Sequence, residues 1–169
     1  MPTDTVYGIV GQALKKETVE RIYSVRKRTP DKPMIILISS VDDLKLFGVD
    51  ADEKSKKFLF KFWPGKVSIV LPITVNLFLE KFYYLHRGTK TLAFRLPDDE
   101  LLSVLLSKVG PLVAPSANLE GFPPATTIEE AKNYFGNQLD FYISGGKIEN
   151  KPSKLIKITT SGKIIELRK

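Results

Sequence analysis

The sequence predicts an α/β (α+β) domain built on one large mixed sheet. Two observations carry that class. Apolar runs of strand length intermix with amphipathic helical stretches along the whole chain, an order that packs helices against a sheet. The final run, LIKITTSGKIIEL, reads as two strands around Ser161-Gly162, and a terminal hairpin rules out a purely parallel sheet. At 169 residues and 43% hydrophobic composition, the chain is long and apolar enough to bury one core.

The elements follow in order. Thr5–Val10 alternates loosely and predicts a strand. Glu17–Lys27 predicts a helix, because Val19, Ile22, Tyr23 and Arg26 recur at helical spacing. Met34–Ser39 (MIILIS) is an apolar run of buried-strand type. Ser40-Val41-Asp42-Asp43 resembles a capping box and predicts a short helix that stops near Gly48. Asp52–Phe62 predicts a helix closed by Pro64-Gly65. Val67–Leu71 and Thr91–Leu96 predict strands, and Pro97 ends the second. Asp99–Val109 predicts a helix with Leu101, Leu102, Leu105 and Val109 on its apolar face. Pro111–Pro115 is a short strand entering a loop. Thr127-Ile128-Glu129-Glu130 is a capping box for a helix ending at Gly136. Asp140–Ser144 predicts a strand before Gly145-Gly146.

Composition excludes several chemistries. There is no cysteine, hence no disulfide, thiolate nucleophile or thiolate metal site. The single histidine, His86, excludes a multi-histidine metal centre, and no nucleophile elbow accompanies it. No Walker motif and no GxGxxG occur, so any phosphate must be held by side chains. No apolar run reaches bilayer length and no signal peptide opens the sequence, which leads us to expect a cytoplasmic protein without a membrane partner. The net charge of +7 favours anionic partners such as nucleotides or RNA, although the same lysines also serve solubility.

Six polar clusters fall in loops or at strand ends, where sites form. They are Thr3-Asp4-Thr5 with Tyr7; Arg26-Lys27-Arg28 with Lys32-Pro33; Trp63-Pro64-Gly65-Lys66; Arg95-Leu96-Pro97; Ser116-Ala117-Asn118; and Pro152-Ser153-Lys154. Taken singly, each has a plain structural reading. The basic triplet complements a helix end, the tryptophan packs at a helix stop, the threonines suit strands and Asn118 suits a turn. Taken together, guanidinium forks, loop hydroxyls and an aromatic ring suit a nucleotide plus a small zwitterion.

The ordered series is more specific than its parts. PTDTVYG, RKRTPDKPM, FWPGKVSIVL, LAFRLPDDE, VAPSANLEGFPPATT and YISGGKIENKPSKLI together resemble the YrdC-like family of threonylcarbamoyl-AMP synthases over nearly the whole chain. The resemblance implies a single YrdC-like domain over residues 1–169, with a twisted mixed sheet around a basic cleft. It implies L-threonylcarbamoyladenylate synthesis from L-threonine, bicarbonate or carbon dioxide, and ATP with Mg2+, in the service of tRNA modification. Implied partners are a threonylcarbamoyl transferase complex and tRNA or double-stranded RNA. Arg26, Arg28, Ser116 and Asn118 are the implied catalytic group. Thr3, Thr5, Tyr7, Lys32, Arg95 and Ser153 are the implied substrate-binding group, and no residue is implied as a metal ligand. The pattern departs from the family at Arg26, where lysine is usual, at Lys66-Val67-Ser68 in place of Pro-Leu-Thr, and at Lys154 in place of threonine. Members also carry a further segment before the opening motif, which this sequence lacks. The alternative reading is a YrdC-like RNA- or nucleotide-binding module without synthase activity.

Overall fold

The computed structural model describes residues 1–158 and 163–168. Its elements are β1 (Gly11–Gln12), α1 (Lys16–Val25), β2 (Ile35–Leu37), a 3-10 helix (Val41–Phe47), α2 (Glu53–Leu59), β3 (Val67–Pro72), α3 (Asn76–Lys81), α4 (Tyr83–His86), β4 (Thr91–Arg95), α5 (Glu100–Val109), β5 (Leu112–Val113), α6 (Ile128–Phe135), β6 (Lys154–Ile158) and β7 (Ile164–Arg168). The seven strands form one sheet in the order β1-β5-β2-β4-β3-β6-β7. Neighbours β2/β4 and β3/β6 run parallel and the other pairs antiparallel, so the sheet is mixed as expected.

Strand alternation gives this sheet two unlike faces. Ile36, Ile69, Phe94 and Ile156 point into the main core, among residues supplied by α1, the 3-10 helix, α4 and α6. Phe94 meets Phe47 edge-on at 5.3 Å, and Phe47 meets Phe82 at 5.4 Å. Each such pair adds about 0.5–1.5 kcal/mol beyond its area burial. The residues between them, Val70, Ala93, Arg95, Leu155 and Lys157, face a cavity on the opposite side. At one end of that side, α5 closes a second core in which Leu102 and Leu106 pack on Leu37 and Leu112.

Local chemistry sets the boundaries. Ser40 N–H donates to the Asp43 carboxylate at 3.1 Å, the acidic half of the expected box. Gly48 closes that turn at φ +70°, and a Cβ there would lie 2.6 Å from the Phe78 ring, so glycine is required twice over. Asp52, Asp99 and Thr127 each cap a helix by accepting a backbone N–H from three residues on.

Three expectations are corrected. Thr5–Val10 is not a strand. Thr3 Oγ1 donates to the Val6 carbonyl at 2.6 Å and accepts from the Thr5 N–H at 3.3 Å, a local turn that competes with the ladder. Only the Gly8↔Ser116 bridge forms there, and pairing begins at β1. Asp140–Ser144 is also irregular, because Phe141 (72% exposed) and Ile143 face outward with no strand beside them. On α5 the buried face is Leu102 and Leu106, whereas Leu101 is 84% exposed. Helices α3 and α4 were not anticipated; both are short, and Phe78 and Phe82 fasten them to the core. The terminal hairpin forms as β6 and β7, while its expected turn at Ser161-Gly162 lies outside the described residues.

Candidate functional site

A cavity of about 510 Å³ opens on the second face of the sheet. Its floor is strand, and its rim comes from four remote segments: the turn at residues 3–6, the end of α1, the loop after β5 and the approach to β6. Among the described residues its lining holds five cations, Arg26, Arg28, Arg95, Lys157 and Arg168, and no carboxylate. Such a surface fits a ligand that brings several negative charges.

One wall is the end of α1 held against the loop after β5. Arg26 is 2% exposed. Its Nε donates to the Asn118 carbonyl (3.0 Å) and its Nη2 to Asn118 Oδ1 (2.9 Å). Ser116 Oγ donates to the same Oδ1 at 2.6 Å. Asn118 Nδ2 spends its protons on the Leu119 and Phe122 carbonyls, both at 2.8 Å. Burial, and then the nearby Arg28 charge, bring the Arg26 guanidinium down to about 10, so it remains a cation at neutral pH. Arg26 Nη1 is buried with no partner. Lys27, at φ +49°, turns the chain so that Arg28 also reaches the cavity, its fork resting on the Lys32 and Pro33 carbonyls at 3.0 and 3.1 Å.

The opposite wall is the N-terminal turn. Arg95, the last residue of β4, donates to Asp4 Oδ1 at 2.8 Å, and the two side chains are 3% and 1% exposed. Thr5 Oγ1 lies 3.4 Å from the same Arg95 nitrogen, and Thr3 Oγ1 lies 3.2 Å from Thr5 Oγ1. Burial raises the Asp4 carboxyl, against the pull of Arg95. Burial likewise lowers Arg95, against the pull of Asp4. Asp4 Oδ2 and Arg95 Nε are buried without partners, so one guanidinium nitrogen makes the whole contact. At the third side, Ser153 is 2% exposed, and Arg168 donates to its carbonyl (2.8 and 3.0 Å) and to its Oγ (3.1 Å). Burial lowers the Arg168 guanidinium, with the charges of Arg95 and Arg28 adding to the effect.

Seven of the ten residues expected from sequence line this one cavity: Thr3, Thr5, Arg26, Arg28, Arg95, Ser116 and Ser153. Asn118 lies behind the wall and holds Arg26 and Ser116. Two residues sit outside this lining. Tyr7 is wholly buried, and its hydroxyl donates to the Gly146 carbonyl (2.7 Å) and accepts from Gly145 N–H (2.8 Å), tying the loop before β6 to the N-terminal turn. Lys32 pairs with Glu120 outside the cavity, and Glu120 also takes the Thr29 hydroxyl at 2.8 Å. The Lys32 ammonium, followed by the Thr29 N–H, holds the Glu120 carboxyl down to about 2. His86 is a packing residue: Gly88 N–H donates to Nδ1 at 3.0 Å, which leaves Nε2 as the donor to the Leu79 carbonyl at 2.7 Å. Sequence reasoning placed Asp4 in a polar cluster without a role, and missed Arg168 and Lys157. Asp4 stands inside the opening motif, where its charge was a usable signal. Arg168 and Lys157 lie in strands whose lysine-rich spacing singles out neither residue.

Fold and site together define an α/β protein whose cavity presents arginines and hydroxyls rather than a glycine-rich loop. The Sua5/YciO/YrdC family model, described as "Telomere recombination", matches residues 1–169. The chain belongs to that family. It is 33% identical over 146 residues to the threonylcarbamoyl-AMP synthase of Bacillus subtilis (strain 168), covering 86% of this chain and 41% of the relative. It is 30% identical over 164 residues to the threonylcarbamoyl-AMP synthase of Pseudomonas fluorescens, covering 97% of this chain and 86% of the relative. The crystal structure of P. abyssi Sua5 complexed with L-threonine superposes with a TM-score of 0.83 at 30% identity, over 99% of this chain and 48% of that one. The chain thus spans less than half the length of the Bacillus and Pyrococcus relatives.

Proposed function

We propose that the protein is an L-threonylcarbamoyladenylate synthase, which joins L-threonine, bicarbonate or carbon dioxide, and ATP into threonylcarbamoyl-AMP and pyrophosphate for tRNA modification in the cytoplasm. One observation carries the reading: polar motifs scattered from Thr3 to Ser153 converge on a single cavity rich in cations. The names of the relatives, and the L-threonine bound to the Pyrococcus protein, support it.

The chemistry suits the side chains present. The threonine amine attacks carbon dioxide and gives a carbamate. A carbamate oxygen attacks the α-phosphorus of ATP, and pyrophosphate leaves. No protein nucleophile is needed. The protein aligns two anions and offsets the charge that develops on phosphate oxygens. Arg95, fixed by Asp4 and flanked by Thr5 and Thr3, offers a carboxylate site for threonine. Arg26, Arg28 and Ser116 offer a phosphate site on the facing wall, and the unbonded Arg26 Nη1 is a donor that a phosphate oxygen would satisfy. Among the described residues no cluster of three carboxylates or histidines could hold a metal. Magnesium would enter with the substrate as Mg-ATP and would supply charge neutralisation at the phosphates. Among the described residues no helix is long and apolar enough to cross a membrane. Transfer to tRNA requires a further transferase, because threonylcarbamoyl-AMP is an activated intermediate.

The test is pyrophosphate release from Mg-ATP, with products read by mass spectrometry. Release should require L-threonine and bicarbonate together and yield the mass of threonylcarbamoyl-AMP. Absence of release from the folded chain would favour a binding module.

A further inference from the structure

Ser153 sits at the cavity wall immediately before β6, and its hydroxyl has two neighbours. Arg168 Nη2 donates to Ser153 Oγ at 3.1 Å, and a guanidinium has no lone pair with which to accept in return. Ser68 Oγ, on β3, lies 2.8 Å from Ser153 Oγ. Ser68 is 0% exposed, and Ser153 is its only side-chain hydrogen-bond partner among the described residues. A hydroxyl carries one proton and two acceptor sites. Were Ser153 to donate to Ser68, the Ser68 proton would be stranded in a place without water, the most costly arrangement available. Ser68 is therefore the donor. Ser153 Oγ then accepts twice, and its own proton has no acceptor among the described residues.

We propose that Ser68 is a positioning residue that fixes the polarity of Ser153, making Ser153 an obligate hydrogen-bond donor to an anionic oxygen of the ligand. A ligand ammonium or hydroxyl proton finds no acceptor at this point. A carboxylate or phosphate oxygen finds a donor whose direction is set, with the Arg168 and Arg95 charges close by. The sources of that oxygen, the carboxylate of L-threonine or a phosphate of ATP, rest on the synthase reading given above. The donor assignment does not depend on it.

The experiment compares wild type, Ser68→Ala, Ser68→Thr, Ser153→Ala and the double alanine variant. Steady-state KM is measured separately for L-threonine and for ATP. Calorimetric binding of L-threonine and of inorganic pyrophosphate gives a readout that needs no turnover. Ser153→Ala should weaken one ligand about tenfold, the scale of one charge-assisted hydrogen bond, and Ser68→Ala, which keeps that proton but frees its direction, should weaken the same ligand about threefold with kcat held within about twofold. The ligand affected identifies the oxygen. Ser68→Thr, which keeps the hydroxyl, should restore most of the loss. In the Ser153→Ala background, Ser68→Ala should add nothing, since the two act as one unit. Equal losses in both backgrounds would mean that Ser68 serves stability alone and would overturn the proposal. Unchanged affinity for both ligands in Ser68→Ala would overturn it as well. If the wild-type chain forms no product but binds either probe, and the Ser68 effect still requires Ser153, the synthase reading fails while the donor assignment stands. If wild type binds neither probe, both fall.

Discussion

The two faces of the central sheet are built from the same strands and do opposite work. On one face Ile36, Ile69, Phe94 and Ile156 meet helices and aromatic rings. One residue along, Arg95 shares the other face with Val70, Ala93 and Lys157, and a cavity stands where helices would be. The first face spends its residues on stability. The second holds two buried guanidinium groups, Arg95 in an ion pair with Asp4 and Arg26 on Asn118, and a buried ion pair adds little net stability. Adjacent residues in β4 thus separate folding from ligand recognition.

That contrast can be broken in order of size. Phe94→Ala removes a fully buried ring in contact with Phe47 and should cost about 3–5 kcal/mol in denaturant unfolding. Asp4→Ala, behind the other face, leaves Arg95 buried without its partner and should cost about 3 kcal/mol. Asp4→Ala combined with Arg95→Met removes both charges and should recover most of that loss; no recovery would show that the cavity face also carries the fold. Arg28→Ala sharpens the contrast from the other direction. Synthesis should fall about a hundredfold, equal to about 2.7 kcal/mol in the barrier, while unfolding changes by about 1 kcal/mol for the lost carbonyl contacts. Asn118→Ala should lose both, since it strands Arg26 as well as Ser116.

The smallest effect belongs to Glu120. Its folded value of about 2 lies below the ordinary 4.5, so the ionised form is favoured by folding. The stabilisation is complete above about pH 4.5 and disappears as pH falls through about 2. Acid titration of stability should therefore be shallower in Glu120→Gln than in wild type over that window. Identical slopes would mean that the Lys32–Glu120 pair contributes nothing to holding the loop beside Arg28.

Much of this arrangement was legible in the sequence, for reasons visible in particular residues. β2, β3 and β4 carry dense apolar runs, and Asp52, Asp99 and Thr127 announce helix starts through backbone capping, which is local chemistry. The failures were nonlocal. Thr5–Val10 has strand composition, but the Thr3 hydrogen bonds to Val6 and Thr5 divert it into a turn that the distant Arg95–Asp4 pair also fastens. Phe141 and Ile143 alternate like a strand and have no neighbour to pair with. Tyr7 resembles a ligand-facing ring in a conserved-looking motif, yet its hydroxyl belongs to a loop 139 positions away. Arg168 could not be found at all, because what marks it is Ser153, and nothing in the local pattern of either segment joins them.

The Tyr7–Gly146 contact has a consequence for how the protein is made. Asp4 waits for Arg95, Arg26 for Asn118, and Tyr7 for Gly145 and Gly146, so these joints each close across 91 or more positions. At ribosomal speeds of about 5–20 residues per second, the interval between the emergence of Thr3 and that of Arg168 is on the order of ten seconds. Through that time the nascent chain carries an unpaired carboxylate and several unpaired guanidinium groups, which keep it solvated while the long-range pairing that slows folding is completed.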